Sequence, residues 1–393
     1  LLDVSELSLD AVPNTTATLL GMARTAQQQG KAYTGHVALV SRRQDVATLP
    51  MRMGKDCHLG KEPAEALQVL SRKLRVQLEA SIPRAEGDVR PNVDKLRALL
   101  LGDQRNEWLK AEAVPAMMQL LQAENTPVRS LLVELLGQIR GKEASEALAV
   151  RAVSDLAPEV REQAVRELKK RPPDEFTHVL VDMLRYPWAP VADHAAEALA
   201  TLEVKDALPQ VIKMLDGPDP SLFIYATHGK QSYAVSREMV RINHLGNCVL
   251  CHAPSTDRNE LVRGAVPTPG QPLPAPITTP QYYETGAIFV RADITYLKQD
   301  FSVMQPVENP NNWPAHQRFD YVVRQRTLTV PQVETLLQKQ RQQTKLSPQR
   351  EAMLFVLREV TGEDHGTKPE NWLIVLPPDK RPKLSSTPES GKN

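Results

Sequence analysis

Residues 156–169 read Leu156-Ala157-Pro158-Glu159-Val160-Arg161-Glu162-Gln163-Ala164-Val165-Arg166-Glu167-Leu168-Lys169. Proline suits the first turn of a helix, where its missing N–H would have no intrahelical partner anyway. Val160, Ala164, Val165 and Leu168 then recur at helical spacing. The same opening stands at Pro127-Val128-Arg129 and at Pro190-Val191. Val128, Val160 and Val191 therefore mark units 32 and 31 residues apart. Each opens an apolar helix: Leu131, Leu132, Leu135 and Leu136; then Val165 and Leu168; then Ala195, Ala196, Leu199 and Leu202. Partner helices are expected between them at Ala147–Ser154, His178–Leu184 and Leu208–Leu215. A period in this range, with paired amphipathic helices, predicts an α-solenoid over 92–222.

These units resemble the HEAT-like repeat family, in which the second helix of a repeat often begins Pro-x-Val-Arg and continues with Ala and Leu. The resemblance implies a stack of helix pairs around one continuous core, with a scaffold role for the surface the stack presents.

On the N-terminal side, residues 1–91 read as an irregular segment with one long helix. That helix spans Glu62 to about Ile82, with Pro63 in its first turn and Ala66, Leu67, Leu70, Leu74 and Leu78 on one face. Gly35–Val40 is a short apolar run, a strand or a buried turn, and Arg84–Pro91 reads as a linker. The chain opens Leu1-Leu2-Asp3, with no Met and no basic-then-apolar leader, so either a leader was removed or the sequence is a fragment.

On the C-terminal side the repeats give way over 223–328 to a Pro-rich module. Ser232–Leu245 reads as a helix with Val235, Met239 and Ile242 on one face. Seven prolines between Pro254 and Pro280 exclude a helix there and predict extended chain. Residues 287–297 read as a strand or short buried segment, and Trp313, Phe319, Tyr321, Val322 and Val323 as another packed element. Asp293, Asp300 and Asp320 sit among Arg291, Arg318 and Arg324, which predicts ion pairs. A helical pair is expected over 329–376, at Val330–Gln343 and Pro348–Val360. It ends in Thr361-Gly362-Glu363-Asp364-His365-Gly366 with Trp372 following. This ending resembles that of HEAT-type repeats in large extracytoplasmic proteins of planctomycete-like bacteria. Residues 377–393, rich in Pro, Ser and Lys, read as a disordered tail.

One motif carries chemistry. Cys248-x-x-Cys251-His252 is the pattern of covalent c-type haem attachment, two thiols for the two vinyl groups and an adjacent imidazole for the iron. Locally it resembles cytochrome c sites, which implies haem c as cofactor, Cys248 and Cys251 as attachment points and His252 as proximal ligand. Met304, 52 residues beyond His252 in an expected loop (Phe301–Pro306), is the first candidate for the sixth position. His228, His244 and His316 are its rivals. The same residues admit other readings: half of a zinc site, completed by His244 or by Cys57 and His58; a redox disulfide; or a chance pattern. Haem attachment implies export, so a periplasmic or other extracytoplasmic location follows from this reading.

Composition narrows the rest. With 48 Lys+Arg against 47 Asp+Glu the net charge is +1, which disfavours nucleic acid as a partner. No run of 18 apolar residues suggests a membrane span. Three cysteines in 393 residues exclude a disulfide-stapled scaffold. The sequence has no Gly-rich phosphate loop, Ser/His/Asp elbow or His-Glu-x-x-His motif, so an enzymatic role has no motif behind it. Two functions stand: an extracytoplasmic haem-c electron-transfer protein with redox protein partners, or a non-catalytic repeat scaffold for protein partners with a structural Cys/His site.

Overall fold

A computed structural model describes residues 61–83, 90–228, 231–243, 263–265, 289–291, 300–306 and 316–384. The helices are α1 (Lys61–Ser81), α2 (Val93–Leu101), α3 (Arg105–Trp108), α4 (Val114–Leu121), α5 (Thr126–Gln138), α6 (Lys142–Ser154), α7 (Pro158–Leu168), α8 (Thr177–Met183), α9 (Ala189–Thr201) and α10 (Leu208–Asp216). Strands β1 (Ile224–His228), β2 (Gln231–Asn243), β3 (Arg263–Ala265), β4 (Phe289–Arg291), β5 (Phe301–Pro306) and β6 (His316–Thr327) follow, then α11 (Val330–Gln342) and α12 (Pro348–Thr361). The strands form a sheet of order β1-β2-β6-β5 and a ribbon β3-β4. The chain divides into two compact units, one of Leu1–Leu132 with Val240–Val322, the other of Val133–Met239 with Val323–Asn393.

In the first unit α1 packs on α2 and α4. Leu67, Leu70 and Leu74 follow the 3-4 spacing and are buried, against a core that includes Leu96, Leu100, Trp108, Met117 and Leu121. Asn92 caps α2, its side chain accepting from Lys95 N at 2.9 Å. Strands β5 and β6 form an antiparallel hairpin with Phe301 opposite Tyr321 and Val303 opposite Phe319. The Phe301 and Tyr321 rings stack at 4.3 Å.

The second unit holds most of the repeat helices. Helix α6 packs on α7, α8 and α9, and α9 in turn on α8 and α12. Val160, Val191, Leu168, Ala195 and Leu199 are all fully buried, as the repeat pattern requires. Arg171, just past α7, ties successive repeats. Its guanidinium donates to Leu136 O at 2.7 Å, Gly137 O at 3.1 Å and Ser145 Oγ at 3.2 Å. Leu136 O and Gly137 O are carbonyls of the last turn of α5, and Leu136 O also accepts from Ile139 N at 3.2 Å.

Ser232–Leu245 is expected as a helix, but its described part, up to Asn243, is strand β2 instead. Its register against β1 pairs His228 with Gln231 and leaves only Gly229-Lys230 between the strands, a two-residue link that opens with glycine. Val235, Met239 and Ile242 happen to match helical spacing, but cross-strand pairing decides the outcome. Phe223, Ala234 and Leu328 form the core beneath this hairpin, with Leu222, Val333, Leu336 and Leu337 packed against it.

Helix α12 begins at Ser347, whose side chain accepts from Arg350 N at 3.3 Å, and ends at Gly362 in the left-handed region (φ 72°). The following turn is tied by side chains. Asp364 accepts from Gly366 N at 2.8 Å and pairs with Arg358 at 3.1 Å. The indole N–H of Trp372 donates to Gly366 O at 2.9 Å, and that side chain is fully buried. The packed chain runs past the boundary expected at 377. Pro378–Lys380 forms a 3-10 turn, Arg381 Nε donates to Leu376 O at 3.1 Å, and Leu384 is buried.

Candidate functional site

The residues that carry the sequence motif, Cys248, Cys251 and His252, lie outside the described residues, as do Cys57, His58 and His244. His228 and His316 fall on β1 and β6. Among the described residues no group of three or more His, Cys, Asp or Glu side chains could hold a metal ion, and no helix is long and apolar enough to cross a membrane.

Met304 is described, and it lies on strand β5 rather than in a loop. The alternation of the strand explains its surroundings. Ser302 and Met304 share one face, opposite Asp320 and Arg318 of β6. Met304 N donates to Ala123 O at 2.9 Å, which fixes the strand to the turn after α4. The residue is 36% exposed.

The rest of that face is a buried polar cluster. Ser302 Oγ donates to Asp320 Oδ1 at 2.5 Å, and Arg318 Nε donates to the same oxygen at 2.7 Å. Arg318 Nη2 also reaches Ser302 Oγ at 3.1 Å, and Gln122 Nε2 reaches it at 3.4 Å. The expected acid–arginine pairing in this region is thus met by Arg318 and Asp320. A serine beside a carboxylate invites a nucleophilic reading, but the geometry opposes it. Ser302 is almost fully buried, and the carboxylate it faces is engaged by the Arg318 guanidinium. Nearby, burial pushes the Glu124 carboxyl up to about 7, with the Arg318 charge pulling the other way. This cluster fastens the hairpin to the helical part through Gln122.

A second feature lies wholly in the other unit. A concavity of about 410 Å³ opens between the C-terminal ends of α9 and α12. Ala200, Val360 and Phe355 supply its apolar surface; Glu197, Glu203 and Glu359 ring it, with Lys205 the one cation among its lining residues. Phe355 is 40% exposed although Met353, Leu354, Val356 and Leu357 around it are fully buried. In other elements of the same unit Glu146 pairs with His178 at 2.9 Å, Glu167 with Lys170 at 2.7 Å and Asp206 with Lys380 at 3.3 Å. Glu197, Glu203 and Glu359 have no such partner among the described residues. The negative potential is felt next door. Burial raises the pKa of Asp193, the His194 charge opposes this, and the Glu197 charge adds to it.

Sequence reasoning missed this concavity. The signal was present, since Phe355 puts a large aromatic side chain outside the buried stripe of α12, but no spacing rule points at a groove built by two distant helices.

Comparison with known proteins bears on the helical part. Residues 78–169 match the family model of HEAT repeats. The mainly helical architecture and this match fit an α-solenoid, with HEAT-like repeats over the matched residues. No curated protein and no solved structure matches the chain.

Proposed function

We propose that this protein is a non-catalytic repeat scaffold that binds other proteins. The observation that carries this reading is the HEAT-repeat match at residues 78–169. Stacked helix pairs bury one face of each helix and leave a long row of exposed ones, a surface suited to protein partners. The buried polar cluster at Ser302 and Asp320 supports it, because the described residues that most resemble catalytic groups are sealed into the structure.

A second reading rests on Cys248-x-x-Cys251-His252 alone. In it the chain carries haem c outside the cytoplasm, with the two thiols as attachment points and His252 as an iron ligand. Met304 is an exposed residue whose thioether is chemically suited to the sixth position. Zinc held by the same Cys/His set is compatible with the scaffold.

One preparation tests both readings. The chain is purified from a host with haem-attachment machinery, examined by visible spectroscopy and pyridine haemochrome, and cross-linked to its partners in the same cells. A colourless protein whose cross-links fall on the repeat helices supports the scaffold. A reduced α-band that survives acid–acetone extraction overturns it in favour of the haem reading.

A further inference from the structure

We infer that the concavity between α9 and α12 is a docking site for a basic peptide segment of a partner protein, with an apolar side chain seated on Phe355 and flanking lysines or arginines facing Glu197, Glu203 and Glu359. The inference rests on the scaffold reading and names the chemistry of the partner.

Three independent features converge on it. The first is shape. A concavity of about 410 Å³ is large enough for one or two side chains rather than a folded domain. The second is the phenyl ring of Phe355, exposed beside the half-buried Ala200 and Val360. Exposed aromatic side chains at the centre of a surface patch are the usual anchors of protein contacts. The third is charge. The lining carries three carboxylates and one ammonium, an excess of negative charge, and no ion pair engages those carboxylates among the described residues. Uncompensated like charges around an apolar floor repel one another until a cation arrives. An acidic segment would be repelled by the same three groups, and a neutral apolar one would leave their field unused.

The elements are rigid enough to present the site. Phe355 and Glu359 stand one turn apart on α12, which is capped at both ends by Ser347 and Gly362. Glu197 stands on α9, which packs along α12. Glu203 follows directly in the turn beyond α9, held in the left-handed region at φ 51°.

The probe is a dye-labelled peptide of alternating lysine and leucine, titrated against the full chain by fluorescence anisotropy. Controls are a glutamate–leucine and a lysine–glycine peptide of equal length. Saturable binding of the lysine–leucine peptide is expected, at least about fivefold weaker in the variant carrying Glu197→Gln, Glu203→Gln and Glu359→Gln, and weaker again at high salt. Phe355→Ser is expected to bring binding down to the level of the lysine–glycine peptide. All four positions are exposed, and a matched circular dichroism melt confirms that each variant is folded. Absence of saturable binding overturns the inference, as does equal binding of the glutamate–leucine peptide, or an affinity unchanged in the triple variant. These outcomes are separable from the fate of the scaffold reading. Cross-links to partners elsewhere on the repeats, with a silent peptide titration, would remove this site and leave the scaffold standing.

Discussion

Arg171 Nη2 donates to the carbonyl of Leu136 at 2.7 Å, so a side chain just past α7 caps the end of α5. The same guanidinium holds Gly137 O and Ser145 Oγ, and Ser145 Oγ in turn donates to Glu175 at 2.5 Å. One residue therefore closes the hydrogen bonds of three successive segments of the repeat. Burial lowers the pKa of this guanidinium from its ordinary value, with Glu175 opposing. Replacing it removes a charged donor from two carbonyls and a hydroxyl, of which Leu136 O keeps only the longer bond from Ile139 N at 3.2 Å. Arg171→Met is expected to lower stability by about 2–4 kcal/mol in urea unfolding followed by circular dichroism. Arg171→Lys is expected to recover only part of this, because one ammonium cannot reproduce the planar fork that reaches both carbonyls and the hydroxyl. Equal stability of wild type and Arg171→Met would refute the clasp.

Glu124 gives a pH dependence whose sign is opposite to that of most surface carboxylates. Its folded pKa is about 7 against an ordinary value of 4.5, raised by burial. Folding therefore favours the protonated form. The stability this group contributes is complete below pH 4.5, is lost as pH rises through about 7, and is constant above that. Allowing for its partial exposure, the loss is about 2 kcal/mol. Glu124→Gln is expected to remove the slope and to be more stable than wild type at pH 8 but not at pH 4.5. Urea midpoints of both proteins at the two pH values check it; a constant difference between them would contradict the assignment.

The repeat was legible because its physics is local. Val128, Val160 and Val191 announce the units by spacing, and all three are fully buried. The C-terminal pair was legible for the same reason, since Pro348 and Gly362 bracket α12 by backbone preference alone. Strand β2 was not, because Val235, Met239 and Ile242 fit a helical stripe and only pairing with β1 settles the matter. Met304 was expected in a loop for a related reason: nothing in Phe301–Pro306 announces that His316–Tyr321 will lie alongside it. The concavity at Phe355 depends on α9 and α12 meeting across more than 150 residues of sequence, a relationship that periodicity does not encode. The Cys248 motif is the converse case, explicit in the sequence and placed outside the described residues.

The end of α12 offers a test of backbone against side chain. Gly362 sits at φ 72°, a region that costs an L-residue about 1 kcal/mol, though nothing crowds its Cβ position. Gly362→Ala is therefore expected to destabilise by about 1 kcal/mol through conformation alone, and Gly362→Asn by less, since Asn tolerates this region. Trp372 fills the space behind the turn and is fully buried, with its indole N–H on Gly366 O. Trp372→Ala is expected to cost about 3–5 kcal/mol, several times the glycine effect. Thermal melts of the three variants check the ranking, and an Asn variant worse than the Ala variant would rule out the left-handed conformation as the cause.

The Ser302–Asp320 contact supplies the last prediction, and it separates a structural cluster from a catalytic one. Asp320 is fully buried and accepts from both Ser302 and Arg318. Removing it with Asp320→Ala strands the Arg318 guanidinium, itself largely buried, without its carboxylate. The expected cost is about 3–5 kcal/mol. Ser302→Ala removes only a neutral donor and is expected to cost about 1 kcal/mol. Met304 N reaches Ala123 O through the backbone, so Met304→Leu leaves that bond in place and is expected to change stability little. If the cluster fastens the hairpin to the turn after α4, hydrogen exchange at the Met304 amide should accelerate sharply in Asp320→Ala and only slightly in Ser302→Ala. Acceleration of equal size in both would mean that the guanidinium–carboxylate pair is not what holds the strand there.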